Sequence, residues 1–227
     1  QSFWIHTDHV KPAKQADYEK VTKDFIDACK KHDLKGMDFS TARIDDGSYI
    51  SIAPIKNMAD FDTNPLAPLA EKMGEDNFRA LFARFNECYD KHGDHVVHLI
   101  NSLSYMPEGE TINTPGQDYR KWHFLHVTPN NATKLRDKIA EITALYKKKG
   151  AKEYVRIYRS GFGIMGDYFI AVISAKDGQS YEKTSDETEA LLGDEGKKLF
   201  AEMFVLLEKY EVKSGWMRPD LGYIAKQ

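Results

Sequence analysis

Long apolar runs are missing from this sequence. None approaches the roughly 18 residues that a bilayer-spanning helix needs, and no lysine-rich start precedes an apolar stretch, so neither a membrane span nor a signal peptide is expected. Cysteine is scarce. Cys29 and Cys88 cannot make a disulfide framework, and their places on apolar faces predict two buried free thiols. An excess of one charge is also absent: 32 basic residues against 35 acidic ones give a net charge of −3. That balance offers no general attraction to nucleic acid or anionic lipid. No nucleophile elbow, paired-cysteine motif or kinase signature occurs, and the glycines of "GFGIMG" join two strands instead of opening a helix, which removes a phosphate loop. Histidine stops at His126. The chain opens on Gln1 in place of Met, which points to a removed segment; export is expected if that was a leader, and a cytoplasmic location otherwise.

What is present is a globular composition, 41% hydrophobic and 30% charged over 227 residues. That length suits one large domain or two of about 110 residues each. The chain also repeats itself. A shift of 120 brings Trp4-Ile5-His6 onto Phe124-Leu125-His126 and "YISI" from Tyr49 onto "FIAV" from Phe169. A shift of 119 brings "GEDNFRALFARF" from Gly74 onto "GDEGKKLFAEMF" from Gly193.

Each half carries the same elements. An alternating strand over 3–10 is followed by a helix with Tyr18, Val21, Phe25 and Cys29 at spacings of three and four. Leu135, Ile139, Ile142 and Tyr146 repeat that spacing. Lys35-Gly36 and Lys149-Gly150 supply helix stops. Two strands follow, joined by "DDGS" in one half and flanking "SGFGIMGD" in the other. A second helix and a last strand, near 95–105 and 211–217, close each half. The order is β-α-β-β-α-β twice, over 1–106 and 119–227, with 107–118 in the Pro- and Gly-rich "MPEGETINTPGQD" as linker.

This order is the ferredoxin-like arrangement. The duplicated chain resembles the tandem form of the dimeric α+β barrel superfamily, on element order and repetition over nearly its whole length. The resemblance implies an α+β fold in which two fused ferredoxin-like repeats form a pseudo-dimeric barrel. It also implies a range of activities: cofactor-free monooxygenases of polycyclic aromatics, heme proteins such as the chlorite dismutases, and small-molecule-binding effector domains. The heme assignment does not carry over, because the proximal histidine of the chlorite dismutases lies in a region where this chain has none. A heme ligand is left to His126, His123 or a first-half histidine, and no cofactor is expected.

Strand alternation assigns faces. With Phe3, Ile5, Leu125 and Val127 against the helices, Trp4, His6, Trp122, Phe124 and His126 turn to the other face. With Ile50, Ile52, Ile170 and Val172 against the helices, Tyr49 and Phe169 join them. "EYVRIYR" adds Tyr154, Arg156 and Tyr158. An aromatic cavity in the second repeat follows, with His126 as base and Arg156 as anchor of an anionic group. The expected partner is a small aromatic or anionic molecule, with self-association into a homo-oligomer also open. The competing expectation is a scaffold that fills its own interior. No metal site is expected: in "HTDH" only Asp8 shares the side of His6, so two further ligands would have to come from elsewhere, and "KHGDHVVHL" reads as surface histidines across a helix-to-strand junction.

Overall fold

A computed structural model describes residues 1–109 and 114–225. The middle of the expected linker, 110–113, lies outside the described residues. The chain divides into two compact units, one of Gln1–Val96 with Met217–Gln227 and one of Val97–Trp216. Residues 97–106 fall in the second unit and 217–225 in the first.

The first unit contains β1 (Ser2–Val10), α1 (Gln15–Lys31), β2 (Ser40–Ile44), β3 (Ser48–Ile55), α2 (Ala67–Met73), α3 (Glu75–Asn86) and most of β4 (Tyr89–Leu99). Its strands are ordered β4-β1-β3-β2, the ferredoxin-like order. The three- and four-residue spacing on α1 does what it predicts: Tyr18, Val21, Phe25 and Cys29 are all buried. The chain's last segment straps this core. Tyr223 bridges Phe39, and its hydroxyl donates to the Leu34 carbonyl at 2.8 Å. The Arg218 guanidinium forks onto the Glu19 carboxylate.

The second unit contains the end of β4, β5 (Tyr119–Val127), α4 (Ala132–Lys149), β6 (Val155–Ser160), β7 (Asp167–Ala175), α5 (Gly178–Val205) and β8 (Lys209–Met217). Here the order is β8-β5-β7-β6, the same pattern again, and Val97–Leu99 continues the sheet beside β6. Leu125, Val127, Leu135, Ile139, Phe169 and Met203 form its helix-side core. Each fully buried aliphatic side chain there contributes about 1.5–3 kcal/mol. Gly150 caps α4 in the left-handed region, as its position after Lys149 predicts. Gly193, at φ 59°, kinks α5 where Gly74, at φ 81°, separates α2 from α3. The sequence match of those two glycines thus marks one repeated helix break. Among the described residues no helix is long and apolar enough to cross a membrane.

The faces of β1, β3 and β7 are the reverse of the alternation reading, so Phe3, Ile5, Ile50, Ile52, Ile170 and Val172 turn away from the helices and their alternates turn toward them. Directly opposed residues of an antiparallel pair share a face. Trp4 opposes Ala53, which packs on the helix core, and Asp8 accepts from the Tyr18 hydroxyl of α1 at 2.7 Å. Trp4, His6, Asp8 and Val10 therefore face the helices. Tyr49, opposite Asp8, lies with its ring centre 4.7 Å from that of Tyr18. Phe169 opposes Leu125 within the helix-side core. So Trp4, His6, Tyr49 and Phe169 do not turn away from the helices. The reason is that these strands bury both faces: Phe3 and Ile5 are buried as well, so apolar character alone cannot choose the side.

A further correction concerns the repeat register. Val10 and Val127 end their strands on the helix side, which aligns β1 with β5 at a shift of 117. The mate of His6 is then His123, not His126. In addition, β4 starts at Tyr89, six residues before the expected strand, so "KHGDHVVHL" lies within one strand and crosses no junction.

Candidate functional site

In the second unit a cavity of about 180 Å³ opens between the sheet and helices α4 and α5. Its walls are mostly apolar, from residues such as Leu125, Ile139, Ile157 and Met203. Six of the polar side chains that line it are linked in one chain. His123, from the middle of β5, meets the Tyr210 hydroxyl through Nδ1 at 2.6 Å and the Tyr181 hydroxyl through Nε2 at 3.1 Å. Ser185, one helical turn beyond Tyr181 on α5, bridges Tyr181 to Glu153. The Tyr146 hydroxyl on α4 then donates to Glu153 Oε2 at 2.9 Å. Spacing explains the placement: Tyr181 and Ser185 are i and i+4 on one helix face, and His123 shares strand parity with Leu125.

Two groups in this chain are electrically perturbed. Burial, with help from the Lys121 cation, lowers the His123 imidazole to about 4. It is neutral at physiological pH, one nitrogen donating and the other accepting, and its two hydroxyl neighbours can exchange those roles. Burial raises the Glu153 carboxyl above its ordinary range against the opposing hydrogen bonds of Tyr146 and Ser185. Glu153 is 5% exposed, and its Oε1 has no hydrogen-bond partner among the described residues. A buried carboxyl oxygen left without a partner is costly, and this one sits where a ligand's donor could satisfy it.

The residues expected from sequence are placed as follows. Trp122, Phe124, His126, Arg156 and Tyr158 share the face of the second sheet turned away from α4 and α5, and none lines this cavity. Arg156 is buried and donates to Ser174 Oγ at 2.7 Å. His126 packs on Tyr168, ring centres 5.3 Å apart, with Nε2 3.9 Å from Glu211. Tyr154 falls just before β6 and packs edge-on against Tyr105. Phe169 is core beneath the helices. Trp4, His6 and Tyr49 lie in the first unit. Glu153, Tyr181 and Tyr210 are not among the expected site residues, and His123 enters the sequence reading only as a candidate heme ligand. The signal available in the sequence is that His123 shares the parity of Leu125 and Val127, which the alternation reading already placed against the helices.

No protein-family model matches this sequence, and no curated protein matches it. Solved structures do. An anthrone oxidase-like protein is 14% identical, with a TM-score of 0.62 over 96% of this chain and 91% of its own. The fold is the dimeric α+β barrel. A protein of Lactobacillus acidophilus assigned only provisionally to the monooxygenases is similar to this α+β barrel chain at 9% identity and TM-score 0.57, over 95% and 93% of the two chains. A chlorite dismutase variant from Candidatus Nitrospira defluvii is similar at 9% identity and TM-score 0.56, over 97% and 92%. Identities this low establish the α+β barrel fold and leave the chemistry to the site itself.

Heme, raised by the resemblance of the sequence, does not fit this cavity. Both nitrogens of His123 are engaged by tyrosine hydroxyls, so neither is open to an iron. The volume of about 180 Å³ is also far below what a porphyrin occupies.

Proposed function

We propose that the chain binds a compact, mostly apolar small molecule carrying a hydroxyl group, of the phenol class, in the helix-side cavity of its second unit. The observation that carries this reading is the unpartnered Glu153 Oε1 at the end of a hydrogen-bonded chain inside an apolar chamber. A cavity of roughly 150 Å³ accepts a benzene ring, so a single substituted ring matches the space. The ligand hydroxyl donates to Glu153, and the aliphatic walls hold the ring.

The enzymatic form of the reading is an oxygenase-like reaction on that phenol, with dioxygen as oxidant. The anthrone oxidase-like neighbour supports this direction at the level of the fold. The ligand hydroxyl meets Glu153, whose carboxyl burial raises above its ordinary range. A phenol near 10 passing its proton to His123 at about 4 is uphill by about 6 units, or about 8 kcal/mol. His123 therefore serves as a neutral hydrogen-bond link between Tyr210 and Tyr181, not as the base.

The test is binding of substituted phenols and naphthols, followed by calorimetry and by mass spectrometry under native conditions. Glu153→Gln and His123→Phe should each weaken binding at least tenfold, while His126→Ala and Arg156→Ala leave it unchanged. The reverse pattern would place the ligand on the opposite sheet face, at the residues first suggested by the sequence. Binding by neither face would favour the scaffold reading.

A further inference from the structure

Two histidine-bearing stretches that offer too few ligands separately come together in the first unit. Strands β1 and β4 are neighbours there, which brings His92 beside His6 with ring centres 5.6 Å apart. Asp8 shares the face of His6, and one donor atom from each of His6, Asp8 and His92 lies within 4.8 Å of the others.

The surroundings of these groups are ordered in the manner of a metal centre. His6 Nδ1 meets Asp94 Oδ1 at 2.7 Å, and the Trp4 indole holds that same oxygen at 2.8 Å. Asp8 Oδ2 accepts from Tyr18 at 2.7 Å. The outer nitrogen of one ligand and the outer oxygen of another are thus fixed by partners, the arrangement that orients ligating imidazoles and carboxylates. His6 Nε2 and Asp8 Oδ1 pair with each other at 3.1 Å in the metal-free chain, and a bound ion would take the place of the proton between them. Adjacent ligands on an ion at about 2.1 Å sit roughly 3.0–3.4 Å apart. His92 is exposed, leaving the outer side of the cluster open to solvent.

We propose that His6, Asp8 and His92 form a binding site for a divalent first-row transition ion, with Asp94 and Tyr18 orienting the ligands and open positions toward solvent. Two imidazoles and one carboxylate are a donor set that ions from Mn²⁺ to Zn²⁺ accept. The nearby Asp94 adds negative charge that favours a cation, and Asp8 is buried enough to stay in place. The site lies in a different unit from the phenol cavity and stands or falls independently of it.

The experiment uses the full chain freed of metal by chelation and dialysis. Co²⁺ is titrated by visible absorption and Zn²⁺ by calorimetry. One equivalent should bind with micromolar or tighter affinity. His92→Ala and Asp8→Asn should each weaken binding at least a hundredfold, and Asp94→Asn by a smaller factor of about 10. His95→Ala, an odd number of positions from His92 on the same strand, should leave binding unchanged. Because His92 is exposed, its replacement does not threaten folding, which circular dichroism confirms. Saturation only at millimolar ion, or equal losses in His92→Ala and His95→Ala, would overturn the assignment.

Discussion

Replacing His123 with Gln gives a direct measurement of the second unit's buried polar chain. Gln keeps one donor and one acceptor but does not titrate. The sign follows from the lowered pKa: an unfolded chain protonates its imidazole near 6.5, whereas folded His123 resists until about 4. Its contribution is therefore fully present above pH 6.5 and is lost as the pH falls toward 4. At pH 5 the unfolded form has gained about 1.5 units of protonation free energy relative to the native form, or about 2 kcal/mol. The half-buried ring trims that toward 1–2 kcal/mol. For a chain of this size each kcal/mol moves the melting temperature by about 2–4 °C. Between pH 8 and pH 5 the native protein should thus lose about 2–8 °C more than His123→Gln in paired thermal scans. All other histidines are common to both proteins and cancel in the difference. Parallel pH profiles would refute the claim that His123 is held neutral.

Other perturbations address separate parts of the structure. Leu135→Ala, at a fully buried core position of α4, should cost about 2–5 kcal/mol in urea unfolding followed by tyrosine fluorescence. Arg218→Ala removes the fork onto Glu19 and should release the terminal strap, raising hydrogen exchange at Tyr223 before the rest of the first unit opens. Glu153→Gln should stabilise the empty protein at alkaline pH, where the native carboxyl must ionise while buried, and lose that advantage as the pH falls. A Glu153→Gln melting temperature that tracks the native one at every pH would contradict a raised carboxyl.

Element order was readable because it depends on local features. The three- and four-residue spacing on α1 and α4, the "DDGS" turn and Gly150 each act within a few residues, and all occur where expected. Faces were not readable from the same information. "FWIHTDHV" carries Phe3 and Ile5 on one parity and Trp4 and Val10 on the other, so hydrophobicity alone does not say which side meets the helices. The pairing of Asp8 with Tyr49 across the sheet, and of both with Tyr18, decides it, and that rests on a contact across about forty residues. The repeat register failed for a related reason. β3 and β7 correspond at a shift of 120 but β1 and β5 at 117, because the second repeat holds three more residues between those strands. A similarity search at one fixed shift passes over that difference and selects the wrong histidine. The cavity's polar chain draws on β5, α4, α5, β8 and the segment before β6, and no local pattern joins them.

The corrected register changes what duplication has done. His6 and His123 hold the same place on the helix side of their strands, yet their surroundings drive them in opposite directions. Around His6 burial alone would lower the pKa, but Asp8 and Asp94 overcome it and raise the imidazole to about 9. Around His123 no carboxylate among the described residues answers the burial, Lys121 adds to it, and the ring falls to about 4. The difference, 9 − 4, is about 5 units between equivalent positions. One repeat has a cationic, carboxylate-held imidazole at the solvent edge, and the other a neutral one inside an apolar chamber. Nuclear magnetic resonance titration of imidazole signals in the metal-free chain reads both at once: near pH 6.5 one assigned ring should be fully charged and the other fully neutral. If both titrate together there, the two sites share one environment, and the division of roles between the repeats has no electrostatic basis.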